Sequence, residues 1–334
     1  MPTNQHPQLP LQHLKFIDLF AGIGGFHLAL TEQGASCVFA SEWDTAAQAT
    51  YFTNHHLQPH GDITTIPTEY IPPHDILCAG FPCQAFSISG KQLGFADARG
   101  TLFFDVARIA KAHQPKMLFL ENVKNFASHD NGRTLQVVKN TLESMGYSVF
   151  YKVLSSSQYG SPQKRERIYI LAFHQTLNIS SFQFPSPIST FQTVQDIALP
   201  LIDPTVQKAI VMRKDTILYS DRFPSDRQHN LVRVGHVNKG GQGERIYHSL
   251  GQGITLSAYG GGAGAKTGLY LIDNTVRKLT PRECARMQGF PDSFSPHSST
   301  QQAYKQFGNS VSVHMLRAIL LALHTQKIDA SLQA

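Results

Sequence analysis

The sequence of 334 residues has only four cysteines, one tryptophan and 16% charged residues. The cysteines form no C-x-x-C pair, which argues against a disulfide-stabilised secreted fold and favours a reducing, cytoplasmic compartment. No apolar run approaches the ~18 residues of a membrane span, and the polar start of the chain does not resemble a signal peptide. No Cys–His ligand pattern typical of zinc is present either, so we predict no metal site.

The composition is that of a folded protein with a basic bias. Hydrophobic residues make up 41% of the chain, and the formal net charge is +6. Most of this excess lies in residues 196–280, which contain 11 Lys and Arg against 7 Asp and Glu. The charge therefore permits a polyanionic partner that contacts this segment.

The chain begins with the strand–turn–helix pattern of a nucleotide-type α/β domain. An apolar run at 15–20 predicts a buried strand, a glycine turn follows at 21–25, and a helix begins at Phe26 and ends near Gly34. The N–H groups at such a helix start can bind an anionic group. His27 stands where the dinucleotide fingerprint has its third glycine, which argues against NAD. A cofactor with a single carboxylate fits as well.

Polar residues after the second predicted strand, 37–40, are candidates for holding that cofactor. Glu42 comes about 20 residues after the glycines, where a carboxylate can accept ribose hydroxyls. Trp43 is either a surface for an adenine ring or a core tryptophan. Asp62 either accepts from an adenine amino group or caps a turn.

Four further polar residues point to chemistry. Cys83 follows an apolar run that stops at Gly80, and Glu121 follows the buried run 116–120. Ligands of open α/β sheets bind at this edge, so we expect both side chains there. Arg165 and Arg167 alternate, so their side chains face the same side if the segment is extended, although a solvated edge is the plainer alternative.

After residue 175 the alternation of strands and helices stops, and the pattern predicts a small β-rich domain. We predict a helix at 205–216 and then glycine-separated extended segments at 231–237, 244–247, 254–257 and 269–273. Helices at 281–289 and 311–325 follow. The last helix has an apolar face and is expected to pack on the first domain.

Taken together, these motifs resemble those of the DNA (cytosine-5) methyltransferases over residues 14–325. The matching segments are DLFAGIGGF at 18–26, FPCQ at 81–84, ENV at 121–123, QKRER at 163–167, RECARMQGFP at 282–291 and GNS at 308–310. The resemblance implies a Rossmann-like α/β fold that uses S-adenosyl-L-methionine and releases S-adenosyl-L-homocysteine. It also implies a tail at 1–13, a catalytic domain at 14–195 plus 309–334, an inserted target-recognition domain at 196–280 and a hinge region at 281–308.

The resemblance implies a role for each matched residue. Cys83 is the nucleophile that adds to cytosine C6, Glu121 binds N3 and N4, and Arg165, with Arg167 nearby, holds O2. Phe20 and Trp43 flank the adenine, Glu42 takes the ribose and Asp62 takes the adenine amino group. The implied cofactor residues are Phe20, Gly22, Gly24, Gly25, Glu42, Trp43, Asp62, Ile63, Pro82, Leu102 and Asn309.

The partner implied by the resemblance is double-stranded DNA, with the target cytosine flipped out of the helix. The implied DNA contacts are Gln84, Ser87, Ile88, Ser89, Arg233, Gln242, Arg245, Thr255, Tyr259 and Gly262. Gln242 and Ser89 fill the space left by the base, and residues 86–97 form a closing lid. Arg245 reads a guanine, whereas Arg233 and Thr255 contact phosphates. The match in the variable region implies the first cytosine of GCGC as the target. It also implies a monomer whose restriction endonuclease acts on the same site.

Three other functions remain open from the sequence. A tRNA cytosine-5 methyltransferase has the same motifs, and equal activity on tRNA and duplex DNA would favour it. A DNA-binding regulator without catalysis is disfavoured by the complete set of Cys83, Glu121 and Arg165. A Rossmann oxidoreductase is disfavoured by His27 and Cys83.

Overall fold

The structure is a computed structural model that describes residues 9–82 and 102–333. The strands are β1 (Lys15–Leu19), β2 (Ser36–Ser41), β3 (Ile76–Ala79), β4 (Met117–Val123), β5 (Tyr147–Ser155), β6 (Glu166–His174), β7 (Ile217–Leu218), β8 (Arg233–His236), β9 (Arg245–His248), β10 (Leu269–Ile272) and β11 (Thr275–Arg277). The helices are α1 (Gly25–Thr31), α2 (Thr45–His55), α3 (Leu102–His113), α4 (Arg133–Ser144), α5 (Val194–Ile197), α6 (Pro204–Ala209), α7 (Pro281–Gln288), α8 (Thr300–Asn309), α9 (Val313–Thr325) and α10 (Ile328–Gln333). No helix of these described ranges is long and apolar enough to cross a membrane.

The chain forms two compact units. The first comprises the chain up to Leu154, Glu166–Pro185 and the chain from Leu316. The second comprises Ser155–Arg165 and Ser186–Met315. The domain limits implied by the family resemblance stay predictions.

The first unit is built on a six-stranded sheet among the described residues, in the order β2-β1-β3-β4-β6-β5. Strands β2, β1, β3 and β4 are parallel, and β6 runs antiparallel to β4. Strand β3 and the first four residues of β4 are continuous apolar runs, as expected for strands buried on both faces. Helix α4 packs on this core through Leu135, Val138 and Leu142. The predicted Rossmann-like α/β fold is confirmed.

The second unit contains a five-stranded sheet in the order β11-β10-β9-β8-β7, within the part of the chain that the structure describes. Its core is a cluster that includes Val234, Ile246 and Leu269. These short strands follow one another between residues 217 and 277. The expected β-rich character of this segment is therefore present.

Two secondary-structure predictions for the second unit are wrong. The predicted helix 205–216 ends at Ala209, because Ile210 leaves the helix and forms an antiparallel bridge with Arg277. Residues 254–257 form no strand, because side chains take two of their backbone donors. The Ile254 N–H donates to the Tyr270 hydroxyl, and the Leu256 N–H donates to Gln163 Oε1. Helix α8 was not predicted; the Ser299 hydroxyl caps its start.

Candidate active site

The register of the parallel strands brings the predicted cofactor and catalytic positions to one edge of the sheet. Leu19 of β1 pairs with Ser41 of β2 and with Ala79 of β3, and Ala79 pairs with Leu120 of β4. The residues that follow these strand positions are therefore neighbours. They are Phe20, Glu42, Gly80 and Glu121.

The turn after β1 has a backbone that ordinary residues seldom adopt. Phe20, Gly22 and Gly24 have φ values of +54°, +56° and +83°. At Phe20 this left-handed conformation is a local strain of a kind concentrated at functional sites. A methyl group placed on Gly22 meets no heavy atom of the described residues within 4 Å. The turn thus offers an open surface at Gly22, and Gly25 then begins α1.

The Glu42 carboxylate is tied to this turn. Its Oε2 accepts from the Gly22 N–H at 2.8 Å, and its Oε1 accepts from the Asp44 N–H at 2.9 Å. The side chain is buried, with 8% of the residue exposed. Burial raises the pKa of Glu42, and the hydrogen bonds from Asp44 and Gly22 oppose that shift. Glu42 therefore couples the end of β2 to the glycine turn.

Trp43 directly follows Glu42, and the loop that carries Asp62 is bonded to β2. Trp43 is 79% exposed, so the alternative of a core tryptophan is wrong. The Ser41 hydroxyl donates to the Gly61 carbonyl at 2.7 Å, which holds the loop of Asp62 against β2. Asp62 caps a short 3₁₀ turn through Oδ1, which accepts from the Thr64 N–H and hydroxyl. Ile63 in that turn is buried.

Three more predicted cofactor residues have well-defined places. Pro82 is exposed just after β3, and Leu102 is half-buried at the start of α3. Asn309 is the exposed last residue of α8, in the second unit. Their contacts with a cofactor stay predictions.

The end of β4 presents a carboxylate paired with a guanidinium. Glu121 is buried, and Arg167 Nε lies 3.1 Å from its Oε1. Arg167 pairs in register with Val123, because β6 runs antiparallel to β4. The next residue, Asn122, donates from its side-chain amide to the Phe81 carbonyl at 2.8 Å. This hydrogen bond joins the end of β4 to the segment that leads into residue 83.

Arg165 has different partners from Arg167. Its guanidinium is buried in the second unit and donates to the carbonyl oxygens of Leu256 (3.2 Å), Gly308 (3.2 Å) and Ser310 (2.7 Å). These carbonyls come from the variable region and from the GNS motif. Arg165 therefore fastens two distant segments together, a structural role that its spacing from Arg167 did not predict.

The predicted DNA-reading residues that the structure describes all belong to the second unit. Arg233 and Arg245 lie on the adjacent strands β8 and β9, and neither Nε atom has a hydrogen-bond partner among the described residues. Gln242 and Tyr259 are exposed, and Gly262 has a φ of +97°. The Thr255 hydroxyl donates to the Lys164 carbonyl at 2.6 Å, so a phosphate contact through it requires that bond to break. These DNA contacts stay predictions.

Some predicted positions lie outside the described residues. They are Cys83, Gln84, Ser87, Ile88 and Ser89, together with the lid 86–97 and residues 1–8 of the tail.

Asp18 is a charged position that we did not single out from the sequence. It lies on β1 between Ala40 and Cys78 of the neighbouring strands, and it is buried. Its carboxylate oxygens have no hydrogen bond of normal geometry among the described residues. Burial raises the pKa of Asp18 well above its usual value, with the His27 backbone N–H opposing the shift. The only sequence signal was an acidic residue inside an apolar strand.

The comparison with known proteins assigns the class. A family model described as C-5 cytosine-specific DNA methylase matches residues 14–325, and the chain belongs to this family. It is 57% identical over 309 residues to the type II methyltransferase M.HhaI of Haemophilus parahaemolyticus, covering 92% of this chain and 94% of that protein. It is 45% identical over 326 residues to M.HpaII of Haemophilus parainfluenzae, covering 91% and 87%.

Solved structures share the fold at lower identity. A mutant DNMT2 of Spodoptera frugiperda superposes with a TM-score of 0.69 at 21% identity, covering 93% of this chain and 99% of that one. A prophage-encoded putative DNA modification methyltransferase of E. coli gives 0.70 at 23% identity, covering 93% and 99%. These two likenesses support the fold alone.

Membership in this family makes the protein a DNA (cytosine-5) methyltransferase that uses S-adenosylmethionine. The described residues fit that cofactor. The turn is open at Gly22, the Glu42 carboxylate accepts from the Gly22 N–H, and the next residue, Trp43, is exposed. A sulfonium cofactor with one carboxylate needs such an acceptor and an aromatic face more than it needs a pyrophosphate loop.

Proposed function

We propose that this protein methylates C5 of the first cytosine of GCGC in double-stranded DNA and is the modification enzyme of a type II restriction–modification system. The identity with M.HhaI, which extends over the variable region, supports this target. The protein would act as a monomer in the cytoplasm. Its restriction endonuclease would act on the same DNA site and would not need to bind the methyltransferase.

The reaction needs a nucleophile, because cytosine C5 is itself a poor one. We assign this role to Cys83, whose thiolate adds to C6, breaks the conjugation of the ring and makes C5 enamine-like. Cysteine suits the step because it is strongly nucleophilic and can be eliminated again. S-adenosylmethionine supplies the electrophilic methyl group. Loss of the C5 proton then expels the thiolate and restores the ring.

Glu121 and Arg165 would bind the flipped cytosine, with Arg167 nearby. Glu121 would hydrogen-bond N3 and N4, and Arg167, 3.1 Å from that carboxylate, would keep it oriented. Arg165 was assigned to O2. Its three carbonyl partners mean that it would also support the loop around Leu256.

Phe20, Trp43, Glu42 and Asp62 would hold the cofactor. The adenine would lie between the two aromatic rings, and Glu42 would accept the ribose hydroxyls. Asp62 would take the adenine amino group through its second oxygen, because Oδ1 already caps the turn. Gly22, Gly24, Gly25, Leu102 and Asn309 would line the methionine end.

The single observation that best supports this function is the hydrogen bond from Asn122 to the Phe81 carbonyl. It links the strand end that carries Glu121 to the residues immediately before Cys83. Phe81, the first residue of the nucleophile motif, is therefore bonded to the acid motif, which supports addition at C6 with contact to N3.

Transfer of labelled methyl groups to a GCGC duplex, by wild type and by Cys83→Ser, tests the proposal. We expect transfer by wild type, none by Cys83→Ser, and normal transfer by Cys37→Ser as the matched control. A duplex with 5-fluorocytosine at the first cytosine should trap a covalent adduct, because the C5 proton is missing. Equal transfer by Cys83→Ser, or equal transfer to tRNA, would contradict the proposal.

A further inference from the structure

A cluster of aromatic rings lies beneath the glycine turn and has no part in the reaction described above. The rings of His27 and His55 stack with centroids 4.1 Å apart and planes 23° apart. The ring of Tyr51 lies 4.7 Å from that of His55. Tyr51 is fully buried and the two histidines are largely so. Burying the polar atoms of these side chains is costly unless their hydrogen bonds are satisfied.

His55 makes a direct bond to the middle of the turn. Its Nε2 lies 3.2 Å from the carbonyl oxygen of Ile23, which stands between Gly22 and Gly24. A carbonyl can only accept, so Nε2 must carry the proton and donate it. The bond fixes the orientation of the peptide between two residues of positive φ.

The two glycines of the turn serve different neighbours. A methyl group on Gly22 would meet open space, whereas one on Gly24 would collide with the His55 ring, 2.6 Å from Cδ2, and lie 3.0 Å from Tyr51. Glycine at 24 therefore allows His55 to pack against the turn from below. Gly22 leaves the opposite side of the turn open for a ligand.

The rest of the cluster holds the His55 ring in place. His27 Nδ1 lies 2.6 Å from the Tyr51 hydroxyl. Burial keeps the pKa of Tyr51 far above its usual value, so its hydroxyl is protonated and can donate to Nδ1. Burial lowers the pKa of His27 to about 3 and that of His55 to about 4. The stacked rings are therefore both uncharged near neutral pH and do not repel each other.

We propose that His55 is a positioning residue for S-adenosylmethionine. By donating to the Ile23 carbonyl and filling the space under Gly24, it holds the turn in the conformation that binds the cofactor. His27 and Tyr51 hold His55. This inference rests on the proposed placement of the cofactor at the Gly22–Gly25 turn.

Two substitutions separate the contribution of the His55 hydrogen bond to cofactor binding from the contribution of its ring. His55→Phe keeps a ring without the donor, and His55→Gln keeps a donor without the ring. In His55→Phe we expect the Kd for S-adenosylhomocysteine and the KM for S-adenosylmethionine to rise about fivefold, as for one lost hydrogen bond. The kcat and the KM for DNA should not change, and His55→Gln should restore part of the affinity. His56→Asn, at an exposed position of left-handed backbone, is the matched control.

Calorimetry with S-adenosylhomocysteine on folded wild type and variants decides the matter, with the melting temperature recorded for each. Unchanged affinity in both His55 variants would overturn the inference. So would a fall in melting temperature without any change in Kd, because that indicates a purely structural role. Trp43→Ala tests the cofactor placement separately. If it also binds like wild type, the proposed placement fails; if it alone weakens binding, only the role of His55 fails.

Discussion

Replacing Glu42 by glutamine tests how the glycine turn is held. In the structure the Glu42 carboxylate accepts two backbone N–H groups, from Gly22 at 2.8 Å and from Asp44 at 2.9 Å. Glutamine has nearly the same shape but only one oxygen. Its NH₂ group would face one of the two N–H donors, so that one bond is replaced by a repulsive contact.

The size of the effect follows from these contacts. A hydrogen bond to a charged group contributes roughly 1.5–3 kcal/mol. Losing one of two such bonds, together with weaker acceptance of the ribose, should weaken cofactor binding by about 2 kcal/mol, or about 30-fold in Kd. This loss of affinity for the cofactor should exceed that of His55→Phe, because the acceptor at Glu42 is charged.

Titration calorimetry with S-adenosylhomocysteine measures the change. Glu32→Gln is the matched control, since Glu32 is exposed in the same unit and pairs with Arg317 at 2.6 Å. We expect the control to bind within about twofold of wild type, as for other exposed ion pairs. A Glu42→Gln protein that binds like this control would refute the reasoning about the turn.

Three further changes should affect stability in distinct ways. Asp18→Asn removes a buried carboxyl whose raised pKa stabilises the wild-type protein at low pH, a stabilisation that is lost as the pH rises. The melting temperature of the variant relative to wild type should therefore increase from pH 4 to pH 8. A constant difference would contradict this. Arg165→Lys replaces the two nitrogens that reach the three carbonyls by a single nitrogen, so it should lose some of these bonds and cost about 2–3 kcal/mol of unfolding free energy, measured by urea denaturation. An unchanged midpoint would argue against those bonds. Arg277→Met leaves the buried Glu283 carboxylate without the guanidinium 2.7 Å away and should lower the free energy of unfolding by about 3–5 kcal/mol in the same assay. A loss under about 1 kcal/mol would mean that the ion pair contributes little.

Local patterns predicted the first unit well. The strand, glycine turn and helix at its start and the apolar runs of β3 and β4 have the expected types, because a parallel sheet covered on both faces demands continuous apolar strands. Glu42 and Trp43 directly follow β2, as predicted, and their cofactor roles stay predictions. Each of these features depends on neighbours close in the sequence.

The failures involve partners that are distant in the sequence. The end of α6 depends on the bridge from Ile210 to Arg277. Ile254 and Leu256 give their N–H groups to the side chains of Tyr270 and Gln163. Arg165 binds carbonyls 91 to 145 positions away. No local pattern encodes these pairings. The contact of His55 with the glycine turn, 32 positions away, was not predicted for the same reason.

Bisulfite sequencing of plasmid DNA from cells that express the protein determines which cytosines it methylates. We expect protection of the first cytosine in GCGC sites on both strands, and none in cells that express Cys83→Ser. Protection at the second cytosine, or at sites other than GCGC, would contradict the assigned target, and no protection at any cytosine would contradict the assigned reaction.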